Sequence, residues 1–439
     1  MSKRTRKSAV CLFSSAGIGE LGLEAAGLEI LVASELIPYR VSLYRENFPE
    51  TRVIQGDIWE VGEEIVATAL DALGGEELFL LYATPPCQGM SSNGLGKLQS
   101  EIESGRRDVE EPRNRLILPT IEVAKALQPR FLLLENVPGM EKTAIRNEHD
   151  QPESILDYVQ RHLGDEYVGG GEVLACQDFG IPQRRKRLIS IFTRDERAAD
   201  LYRISGSFID PSMKKPGATL REAIGALPPL DATSGRNECP DFHPQHRVPV
   251  MADEKYWWVS NTPEGATAFN NPCANPACGS AATPGHREDL VDGKWTSVKG
   301  APVDCQDCGS LLPRPVVRQK DGTVRAIRGF HSAYRRMRWD QPARTLTQNF
   351  IYEASDNKIH PEQNRVLSVH EATILQTIDK YGYRFTVDGK DIGIPKIAEV
   401  IGESVPPYLI EQIAARLAHL ADNEAPRLGD RPTEQLRLV

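Results

Sequence analysis

The chain contains 439 residues, of which 40% are hydrophobic and 26% are charged, and this globular mixture argues against a wholly disordered protein. Its 52 basic and 61 acidic residues give a formal net charge of −9, which argues against a histone-like protein that binds nucleic acid over its whole surface. A nucleic-acid enzyme with a local basic face is compatible with that charge.

Neither a membrane segment nor an export signal is predicted. No apolar run approaches the roughly 18 residues that a membrane-spanning helix needs. The basic start at 1–8 is followed by an apolar run, 9–13, that is too short for the core of a signal peptide. We therefore expect a cytoplasmic protein, in which the scattered cysteines Cys11, Cys87, Cys176 and Cys239 form no disulfides.

Short apolar runs alternate with helical stretches in the first part of the chain. The predicted buried strands are 9–13, 30–34, 78–83, 131–135 and 188–192. Apolar residues at helical spacing predict a helix over 116–127, between two of these strands. This alternation predicts an α/β layer with a largely parallel sheet, whose functional residues lie in loops at the carboxyl ends of strands.

The second part of the chain has a different texture. Residues 205–349 are dense in proline and glycine, which predicts a second, irregular domain with long loops. Helical periodicity returns at 366–375 and 407–420, and the tail from residue 423 is polar.

A glycine-rich turn follows the first predicted strand. Gly17, Gly19 and Gly22 spell G-x-G-x-x-G before a helix, a pattern that lets backbone approach a nucleotide-like ligand but also occurs as a plain helix start. Glu35 ends the next strand, where it could accept hydrogen bonds from both ribose hydroxyls, and Asp57 ends a third unit, where it could bind an adenine amino group. Together they predict a nucleoside cofactor, and NAD and S-adenosylmethionine both stay open.

Cys87 follows the predicted strand at 78–83 in a turn stiffened by Pro85 and Pro86. A lone cysteine is more often a small buried hydrophobe than a nucleophile, but a rigid strand-end turn is where a reactive thiolate is presented. The Gly- and Ser-rich loop after it resembles a lid.

Two further segments carry charged candidates. A buried strand delivers Glu135 and Asn136, and because an unpaired buried acid is costly, Glu135 either caps the following turn or is a partly protonated carboxyl that addresses a ring nitrogen. Arg185 and Arg187 share one side of the next segment, where they could hold a carbonyl oxygen and a phosphate or form an ordinary basic surface patch.

Taken in order, these four segments resemble the cytosine-5 DNA methyltransferase family. The signature steps are Pro-Cys-Gln at 86–88, Glu-Asn-Val at 135–137 and Gln-x-Arg-x-Arg at 183–187. Further matches are Arg-Asn-Arg-Leu at 113–116, Arg338 with Pro342 and Thr345, and Gly-Glu-Ser-Val-Pro-Pro at 402–407. Two residues near the expected cofactor pocket depart from the family pattern: Ser15 replaces a glycine and Glu403 replaces an asparagine.

The resemblance implies a DNA (cytosine-5)-methyltransferase that passes a methyl group from S-adenosylmethionine to carbon 5 of a flipped-out cytosine in a specific duplex site. Cys87 would add to C6 of the base, Glu135 would address N3 and Arg187 would hold O2, with Arg185 as a further catalytic candidate. The family's cofactor pocket maps onto Phe13, Ala16, Gly17, Ile18, Glu35, Asp57, Ile58, Pro86, Leu116 and Val405.

The same resemblance implies a Rossmann-like S-adenosylmethionine-dependent methyltransferase fold with a second, target-recognition domain, which the composition predicts to be irregular and the clustered cysteines described below predict to contain zinc. Residues 1–204 and 336–422 would form the catalytic domain, residues 205–335 the target-recognition domain, and residues 423–439 a polar tail. Its partners would be double-stranded DNA and a cognate restriction endonuclease encoded nearby, and the enzyme would be a monomer that binds no membrane. A transfer-RNA cytosine-5 methyltransferase and a catalytically silent DNA-binding relative are the alternatives.

Four clustered cysteines predict a structural zinc site. Cys273 and Cys278 form one close pair, Cys305 and Cys308 form another, and 26 residues separate Cys278 from Cys305. Four thiolates favour tetrahedral zinc, which would organise a segment poor in core residues, whereas free thiols or an iron–sulfur site are the alternatives. A looser set, with Cys239, His243 and His246, fits a surface loop better than a metal site.

A basic run follows the clustered cysteines. Between residues 310 and 350 two aspartates stand against nine basic residues: Arg314, Arg318, Lys320, Arg325, Arg328, Arg335, Arg336, Arg338 and Arg344. Such a run is often only a solvated face, but its position in the expected recognition domain favours contacts with DNA phosphates.

Overall fold

The structure is a computed structural model of the chain, and it describes residues 7–86, 112–149, 151–285, 288–291, 294–297, 300–327, 332–355 and 358–422. Its strands are β1 (Ser8–Leu12), β2 (Glu29–Glu35), β3 (Arg52–Gln55), β4 (Leu80–Ala83), β5 (Phe131–Asn136), β6 (Ala144–Arg146), β7 (Pro152–Ser154), β8 (Val168–Ala175), β9 (Gln183–Arg184), β10 (Lys186–Thr193), β11 (Glu288–Val291), β12 (Lys294–Ser297), β13 (Val316–Arg318), β14 (Val324–Ala326), β15 (Ala343–Arg344), β16 (Thr386–Val387) and β17 (Lys390–Asp391). Its helices are α1 (Glu20–Ala25), α2 (Pro38–Asn47), α3 (Ile58–Leu73), α4 (Ile117–Leu127), α5 (Ile155–Leu163), α6 (Glu196–Ser205), α7 (Leu220–Ile224), α8 (Asp253–Ser260), α9 (Val369–Leu375), α10 (Ile394–Glu403) and α11 (Pro407–Asp422). Within the described ranges, none of these helices has the length and apolarity needed to span a membrane.

Seven strands form the central sheet in the order β3-β2-β1-β4-β5-β10-β8. Neighbouring strands from β3 to β5 run parallel, whereas β10 is antiparallel to both β5 and β8. The predicted α/β layer with a largely parallel sheet is therefore confirmed, and each predicted strand coincides with a strand of this sheet. The strand order reverses at β1 and β4, the place where such sheets open a crevice at the carboxyl ends of their strands.

Both faces of the sheet are covered, which explains why its strands are continuous apolar runs. Along β1 the side chains alternate, so that Ala9 and Cys11 join one apolar cluster while Val10 and Leu12 join the other. Helices α1, α2, α10 and α11 contribute to the first cluster, and α3, α4 and α5 contribute to the second. The core therefore lies in two layers, with the sheet between them.

Strand β8 was not predicted, because its sequence contains three consecutive glycines and lacks an apolar alternation. These glycines allow β8 to lie close to β10. A Cβ atom on Gly169 would stand 1.9 Å from the carbonyl oxygen of Ile191, and one on Gly170 would stand 2.3 Å from the Tyr202 hydroxyl. Close backbone approach, and not β propensity, accounts for this strand.

The C-terminal segment folds back onto the N-terminal part of the chain. β15 pairs in parallel with β9, where Ala343 lies opposite Gln183. α1 and α11 touch at Gly22, whose added Cβ would stand 2.2 Å from the carbonyl oxygen of Pro407. Lys7 forms a 2.7 Å ion pair with Asp422 at the end of α11. Residues of the return segment thereby reach the carboxyl edge of the sheet, although the predicted domain limits stay predictions.

The region between α7 and β15 has the predicted irregular texture, with short hairpins and small apolar clusters. Within this region, two arginines of the predicted basic run are buried and donate hydrogen bonds to backbone carbonyl oxygens. Arg314 is 6% exposed and donates to the carbonyl oxygens of Asn271, Thr283 and Pro284. Arg336 is 4% exposed and donates to the carbonyl oxygens of Val259, Thr262, His360 and Gln363. The expected phosphate contacts are therefore wrong for these two residues, because their guanidinium groups satisfy buried backbone.

The contact between α1 and α11 yields a stability prediction. In the Gly22→Ala variant the new methyl group would meet backbone atoms of Pro407 and Glu411, which cannot move away as a flexible side chain could. We expect the free energy of unfolding to fall by roughly 1–3 kcal/mol, measured by denaturant titration. Gly62→Ala is the matched control: no heavy atom lies within 4 Å of its added Cβ in helix α3, so this variant should gain about 0.5–1 kcal/mol. A Gly22→Ala protein as stable as the original chain would contradict this packing.

Candidate active site

The turn after β1 has the tight backbone that the glycine pattern predicts. Gly17 has a φ of +80°, and a Cβ atom there would stand 2.4 Å from the ring of Phe48. Ser15, at the position where a glycine was expected, nevertheless adopts a left-handed φ of +50°. This conformation costs a non-glycine residue of order 1 kcal/mol, and the hydrogen bond from Ser15 N–H to Glu35 Oε2, at 2.8 Å, offsets part of it.

Glu35 ends β2, as predicted, and Asp57 follows the neighbouring strand β3; both are oriented by backbone N–H groups. Glu35 accepts from Ser15 N–H and, through its other oxygen, from Ile37 N–H at 2.8 Å. Asp57 is exposed and caps α3 by accepting from Trp59 N–H at 3.1 Å. Each carboxylate oxygen keeps a further lone pair for a ligand.

Next to these two acids stand two exposed apolar side chains that the sequence reasoning missed. Leu36, which follows Glu35, is 60% exposed, and Trp59, two residues after Asp57, is 54% exposed. They offer a flat ring an apolar surface beside the two acceptors. The signal in the sequence was a large apolar residue close to each acid, outside the buried face of its element.

A narrow cleft opens between this turn and the return segment. The sheet side contributes Tyr82, Thr84 and Glu135. The turn contributes Ser14, Ser15, Ala16, Ile18, Gly19 and Glu20, and the return segment contributes Val400, Glu403, Ser404 and Val405. The predicted residues Ala16, Ile18, Glu135 and Val405 thus line one space, hereafter the cleft.

The other predicted cofactor residues are not among those that line the cleft. Phe13 and Leu116 are half-buried and pack against one apolar cluster, and Ile58 is buried within that cluster. Pro86 is half-buried at the end of the segment that leaves β4.

Glu135 and Arg187 meet across β5 and β10. The Arg187 Nε atom lies 2.5 Å from Glu135 Oε1, and each residue is 8% exposed. A guanidinium beside a carboxylate in such a dry environment neutralises a charge that would otherwise be costly to bury. The predicted pairing of these two residues in one site is consistent with this geometry.

Arg185 has a different environment from Arg187. It is 1% exposed, and its Nη1 and Nη2 atoms donate to the carbonyl oxygens of Leu346 and Gly402 at 2.7 and 3.0 Å. It therefore ties the segment before β10 to the return segment, instead of facing the cleft beside Arg187.

Cys87 lies outside the described residues, as does the predicted lid after it, but the segment leading to it is well anchored. Thr84 donates through its N–H to Leu12 O at 3.2 Å and through its hydroxyl to Phe13 O at 2.9 Å. Asn136 donates to Pro85 O at 3.0 Å. Residue 86 is consequently held beside the ends of β1 and β5, at the edge where Glu135 lies.

Glu403, the second departure from the family pattern, brings a carboxyl group to the cleft. Burial raises its pKa, and the guanidinium of Arg40 on α2, 2.7 Å away, opposes that shift. Arg40 is 8% exposed and also pairs with Glu399. The negative charge of this extra acid is thus matched by the positive charge of Arg40, which the sequence reasoning did not identify.

The cleft holds a further acid that was not predicted. Glu20 is 2% exposed, and its Oε1 atom has no hydrogen-bond partner among the described residues. Burial, with a smaller contribution from the charge of Glu35, raises the pKa of Glu20 to about 8. An acid inside a glycine-rich turn at the start of a helix was the available signal, but it is equally typical of a solvated first helical turn.

The four clustered cysteines converge as predicted. Their sulfur atoms all lie within 4.8 Å of one another, with Cys273 and Cys308 3.6 Å apart and Cys278 and Cys305 3.8 Å apart. Sulfurs bound tetrahedrally at ~2.3 Å from zinc would stand ~3.8 Å apart, so the donor set fits this ion. Gly279 and Gly309, which follow the second cysteine of each pair, have left-handed φ angles of +60° and +71°.

The alternative set near His246 does not form a metal site in the described part of the chain. Both ring nitrogens of His246 have protein partners, Ser368 Oγ at 3.0 Å and Pro228 O at 2.8 Å. Its environment is that of a buried structural histidine.

Comparison with known proteins gives concordant results. The sequence model of the family described as C-5 cytosine-specific DNA methylase matches residues 8–419. The chain is 29% identical over 415 residues to Type II methyltransferase M1.HgaI of Avibacterium volantium, covering 92% of this chain and 96% of that protein. It is 28% identical over 413 residues to Type II methyltransferase M1.HphI of Haemophilus parahaemolyticus, covering 94% of this chain and 87% of that protein.

Two solved structures share the fold. One is described as a DNA modification methyltransferase encoded within a prophage of E. coli, with a TM-score of 0.55, 21% identity and coverage of 95% of this chain and 100% of that chain. The other is a mutant of Spodoptera frugiperda DNMT2, with a TM-score of 0.54, 14% identity and coverage of 94% and 99%.

The contacts of Arg185 predict a stability effect that Lys cannot rescue. A lysine has one ammonium group and cannot reach both carbonyl oxygens in the fixed geometry of a guanidinium. We expect Arg185→Lys to lower the free energy of unfolding by roughly 1.5–3 kcal/mol in denaturant titrations. The half-buried neighbour gives the control, because Arg184→Lys should stay within about 0.5 kcal/mol of the original chain. Equal stability of the two variants would refute a stabilising role for the hydrogen bonds of Arg185 to Leu346 O and Gly402 O.

Proposed function

The chain belongs to the C-5 cytosine-specific DNA methylase family and is an enzyme that methylates carbon 5 of cytosine in DNA, and we propose which of its residues perform the reaction. The observation that carries the assignment is the Glu135–Arg187 ion pair at the carboxyl edge of the sheet, beside the anchored segment that leads directly into Cys87. In our proposal the carboxyl group of Glu135 and the guanidinium of Arg187 act on the extruded base together with Cys87, which follows this segment in the chain.

The chemistry requires that C5 of cytosine become nucleophilic. In our proposal the Cys87 thiolate forms a bond to C6, and the electron pair of the C5–C6 double bond becomes available at C5. Glu135 holds a proton at N3, which offsets the density that reaches the ring, and Arg187 holds O2. After C5 has gained the methyl group, its proton is lost to a base and the Cys87 sulfur leaves, which restores the double bond.

S-adenosylmethionine would supply the electrophilic methyl group when bound. Glu35 would accept hydrogen bonds from the ribose hydroxyls, and Asp57 would accept one from the adenine amino group. Leu36 and Trp59 would be apolar neighbours of the adenine ring. The buried polar atoms of the cleft that lack partners among the described residues, including Ser15 Oγ, Glu20 Oε1 and Tyr82 Oη, fit a polar ligand there. The remaining proposed pocket residues are Phe13, Ala16, Gly17, Ile18, Ile58, Pro86, Leu116 and Val405.

We assign Arg185 a positioning role in place of substrate contact. Its guanidinium is engaged by Leu346 O and Gly402 O, and Gly402 directly precedes Glu403 of the cleft. By holding the return segment against the sheet, it would keep the two sides of the cleft at a constant distance.

The substrate would be a specific site in double-stranded DNA, from which the target cytosine is extruded at a cost of a few kcal/mol. Residues 205–335 would form the recognition domain, and exposed cations such as Lys320, Arg325 and Arg344 are available for phosphates. Because the curated relatives reported above are type II methyltransferases, we propose the modification role of a restriction–modification system, with a cognate endonuclease as partner. The enzyme would act as a cytoplasmic monomer, in contact with the cell's DNA.

The assignment predicts the outcome of a methyl-transfer assay with labelled S-adenosylmethionine. Duplex DNA should incorporate label, and bisulfite sequencing should place it on cytosine in one sequence context. Cys87→Ala should lower the rate by three orders of magnitude or more, in the range of about 10³- to 10⁶-fold, because the nucleophile is lost. Glu135→Gln should lower it roughly 10²- to 10⁴-fold.

Cys239→Ala is the matched control, since this half-buried thiol belongs to a small apolar cluster away from the cleft, and it should keep full activity. Incorporation into transfer RNA alone would contradict the DNA substrate. Full activity of Cys87→Ala would contradict the mechanism, and inactivity of every protein on duplex DNA would favour the catalytically silent alternative.

We also propose that the four cysteines bind one structural Zn²⁺ ion. The sulfur–sulfur distances and the two glycine turns support a closed tetrahedral site, with no position left for a catalytic water. The surrounding apolar cluster is small, so the ion would supply much of the local stability.

Metal analysis of the purified protein tests this proposal. We expect about one zinc per chain, in keeping with a single four-thiolate site, and loss of the metal in the Cys305→Ser/Cys308→Ser variant. The variant should also unfold at a lower temperature, whereas Cys239→Ser should retain both the metal and the stability. Folded protein that contains no zinc, or contains iron and sulfide in its place, would refute the proposal.

A further inference from the structure

Glu20 is the one cleft acid whose charge has no counterpart among the described residues. Glu135 is matched by Arg187 and Glu403 by Arg40, while Glu35 accepts two backbone N–H groups. Glu20, in contrast, takes part in no ion pair within the described part of the chain, and its Oε1 atom has no hydrogen-bond partner there. A buried carboxyl group in this condition is costly unless it stays neutral or meets a cation.

The groups that interact with Glu20 come from several elements packed around it, and they are a thiol, a hydroxyl, a carboxyl group and phenols. They are Cys11 of β1, Ser14 of the turn after β1, Glu35 of β2, Tyr44 of α2, Tyr82 of β4 and Tyr383 of the return segment. Burial of the site disfavours ionisation of Glu20, hydrogen bonds from the Ser14 side chain and from backbone N–H oppose that effect, and the charge of Glu35 adds a smaller unfavourable contribution, so that the pKa of Glu20 is raised to about 8. In the free protein at neutral pH, Glu20 is therefore mostly protonated.

The position of Glu20 relates it to the reacting end of the cleft. Tyr82 lines the cleft together with Glu20 and Glu135, and its hydroxyl is influenced by both acids: burial raises the pKa of Tyr82, and the charges of Glu135 and Glu20 raise it further. That hydroxyl also lies against the glycine turn, only 2.8 Å from where a Cβ on Gly19 would be. If the target cytosine lies at Glu135 and Arg187, the methyl group that it receives must enter this part of the cleft. In S-adenosylmethionine that methyl group is bound to a positively charged sulfur.

We propose that the carboxyl group of Glu20 contacts the sulfonium centre of S-adenosylmethionine and so makes the enzyme prefer the charged methyl donor to its neutral thioether product, S-adenosylhomocysteine. This inference rests on the cofactor site of the proposed function. It assigns Glu20 to specificity and not to the chemical step, because the attraction disappears as the sulfur loses its charge. Its effect is to favour exchange of spent cofactor for fresh donor.

A proton accompanies this contact. Below the raised pKa of Glu20, near 8, the free carboxyl is protonated, and an adjacent cation lowers that pKa and expels the proton. S-adenosylmethionine should therefore release close to one proton at pH 7, whereas S-adenosylhomocysteine should release none at this group. As pH rises through the raised pKa, the free carboxyl is already ionised, so affinity for the donor should increase and affinity for the product should not.

Calorimetric titration of the full-length protein tests the proposal. Both ligands are titrated at pH 7 in two buffers of different ionisation enthalpy, so that proton release is measured together with affinity. We expect the original chain to bind S-adenosylmethionine more tightly than S-adenosylhomocysteine, and Glu20→Gln to reduce that preference by roughly tenfold, the size expected for one partly buried ion pair. Donor-specific proton release should vanish in the same variant.

Glu24→Gln is the matched control, since Glu24 is an exposed acid on the same short helix and should leave preference and proton release unchanged. Because Gln resembles the protonated acid, Glu20→Gln should unfold at the temperature of the original chain. If it does not fold, the comparison of proton release by the two ligands on the original chain decides the matter alone.

Three outcomes of this titration would contradict the proposal, and they can be told apart. Equal loss of affinity for both ligands in Glu20→Gln would assign the acid to the ammonium group that they share, and would overturn the proposal. An unchanged preference, or equal proton release by both ligands, would also overturn it while leaving the cofactor site intact. Failure of the original chain to bind S-adenosylmethionine would overturn the cofactor site itself, and this inference with it.

Discussion

Four carboxyl groups meet near the carboxyl edge of the central sheet, and the cost of burying their charge constrains much of the surrounding structure. Each is balanced in a different way. Glu35 accepts backbone N–H groups on both oxygens, Glu135 meets Arg187, Glu403 meets Arg40, and Glu20 keeps its proton. These solutions place positive partners at defined points, and they leave one acid whose ionisation depends on what enters the cleft.

Because most of these partners are distant in the sequence, the cleft exists only when the return segment is in place. Arg40 lies on α2 while Glu403 ends α10, and Val405 packs against the glycine turn near Gly19. Arg185 fixes the same arrangement from the other side through Leu346 O and Gly402 O. An irregular insertion between the two parts can therefore vary, provided that its ends let the return segment close. The irregular region is thereby connected to the cleft through the return segment, and it does not have to contribute residues to the chemistry.

Local pattern was sufficient for the sheet and for the positions of most candidate residues, because buried parallel strands are apolar runs and functional groups follow their carboxyl ends. It failed where tertiary contact overrides propensity. β8 is a strand because its glycines let Ile191 approach, and Ser15 adopts a left-handed conformation because Glu35 receives its N–H. The different environments of Arg185 and Arg187, two residues apart, could not be separated by parity, because the strand begins only at Lys186. Glu20 was missed because its burial arises in a cleft whose other walls, at Tyr82 and Val405, are distant in the sequence and lie in no local window.

Net charge illustrates the same limitation. The chain carries −9 overall and a markedly basic run between residues 310 and 350, and summing that run suggests a strong phosphate-binding face. Arg314 and Arg336 contribute to the sum but not to the face, since they are buried against backbone carbonyls, and Arg318 and Arg338 pair with Glu254 and Asp340. The attraction of DNA then depends on the smaller number of cations that remain in the run. The acidic residues elsewhere in the protein repel phosphates. Phosphates are the same in every DNA sequence, so a cation that is paired within the protein weakens the attraction to all sequences equally. Contacts with the bases keep their full effect. Such a balance therefore favours specific binding over non-specific binding.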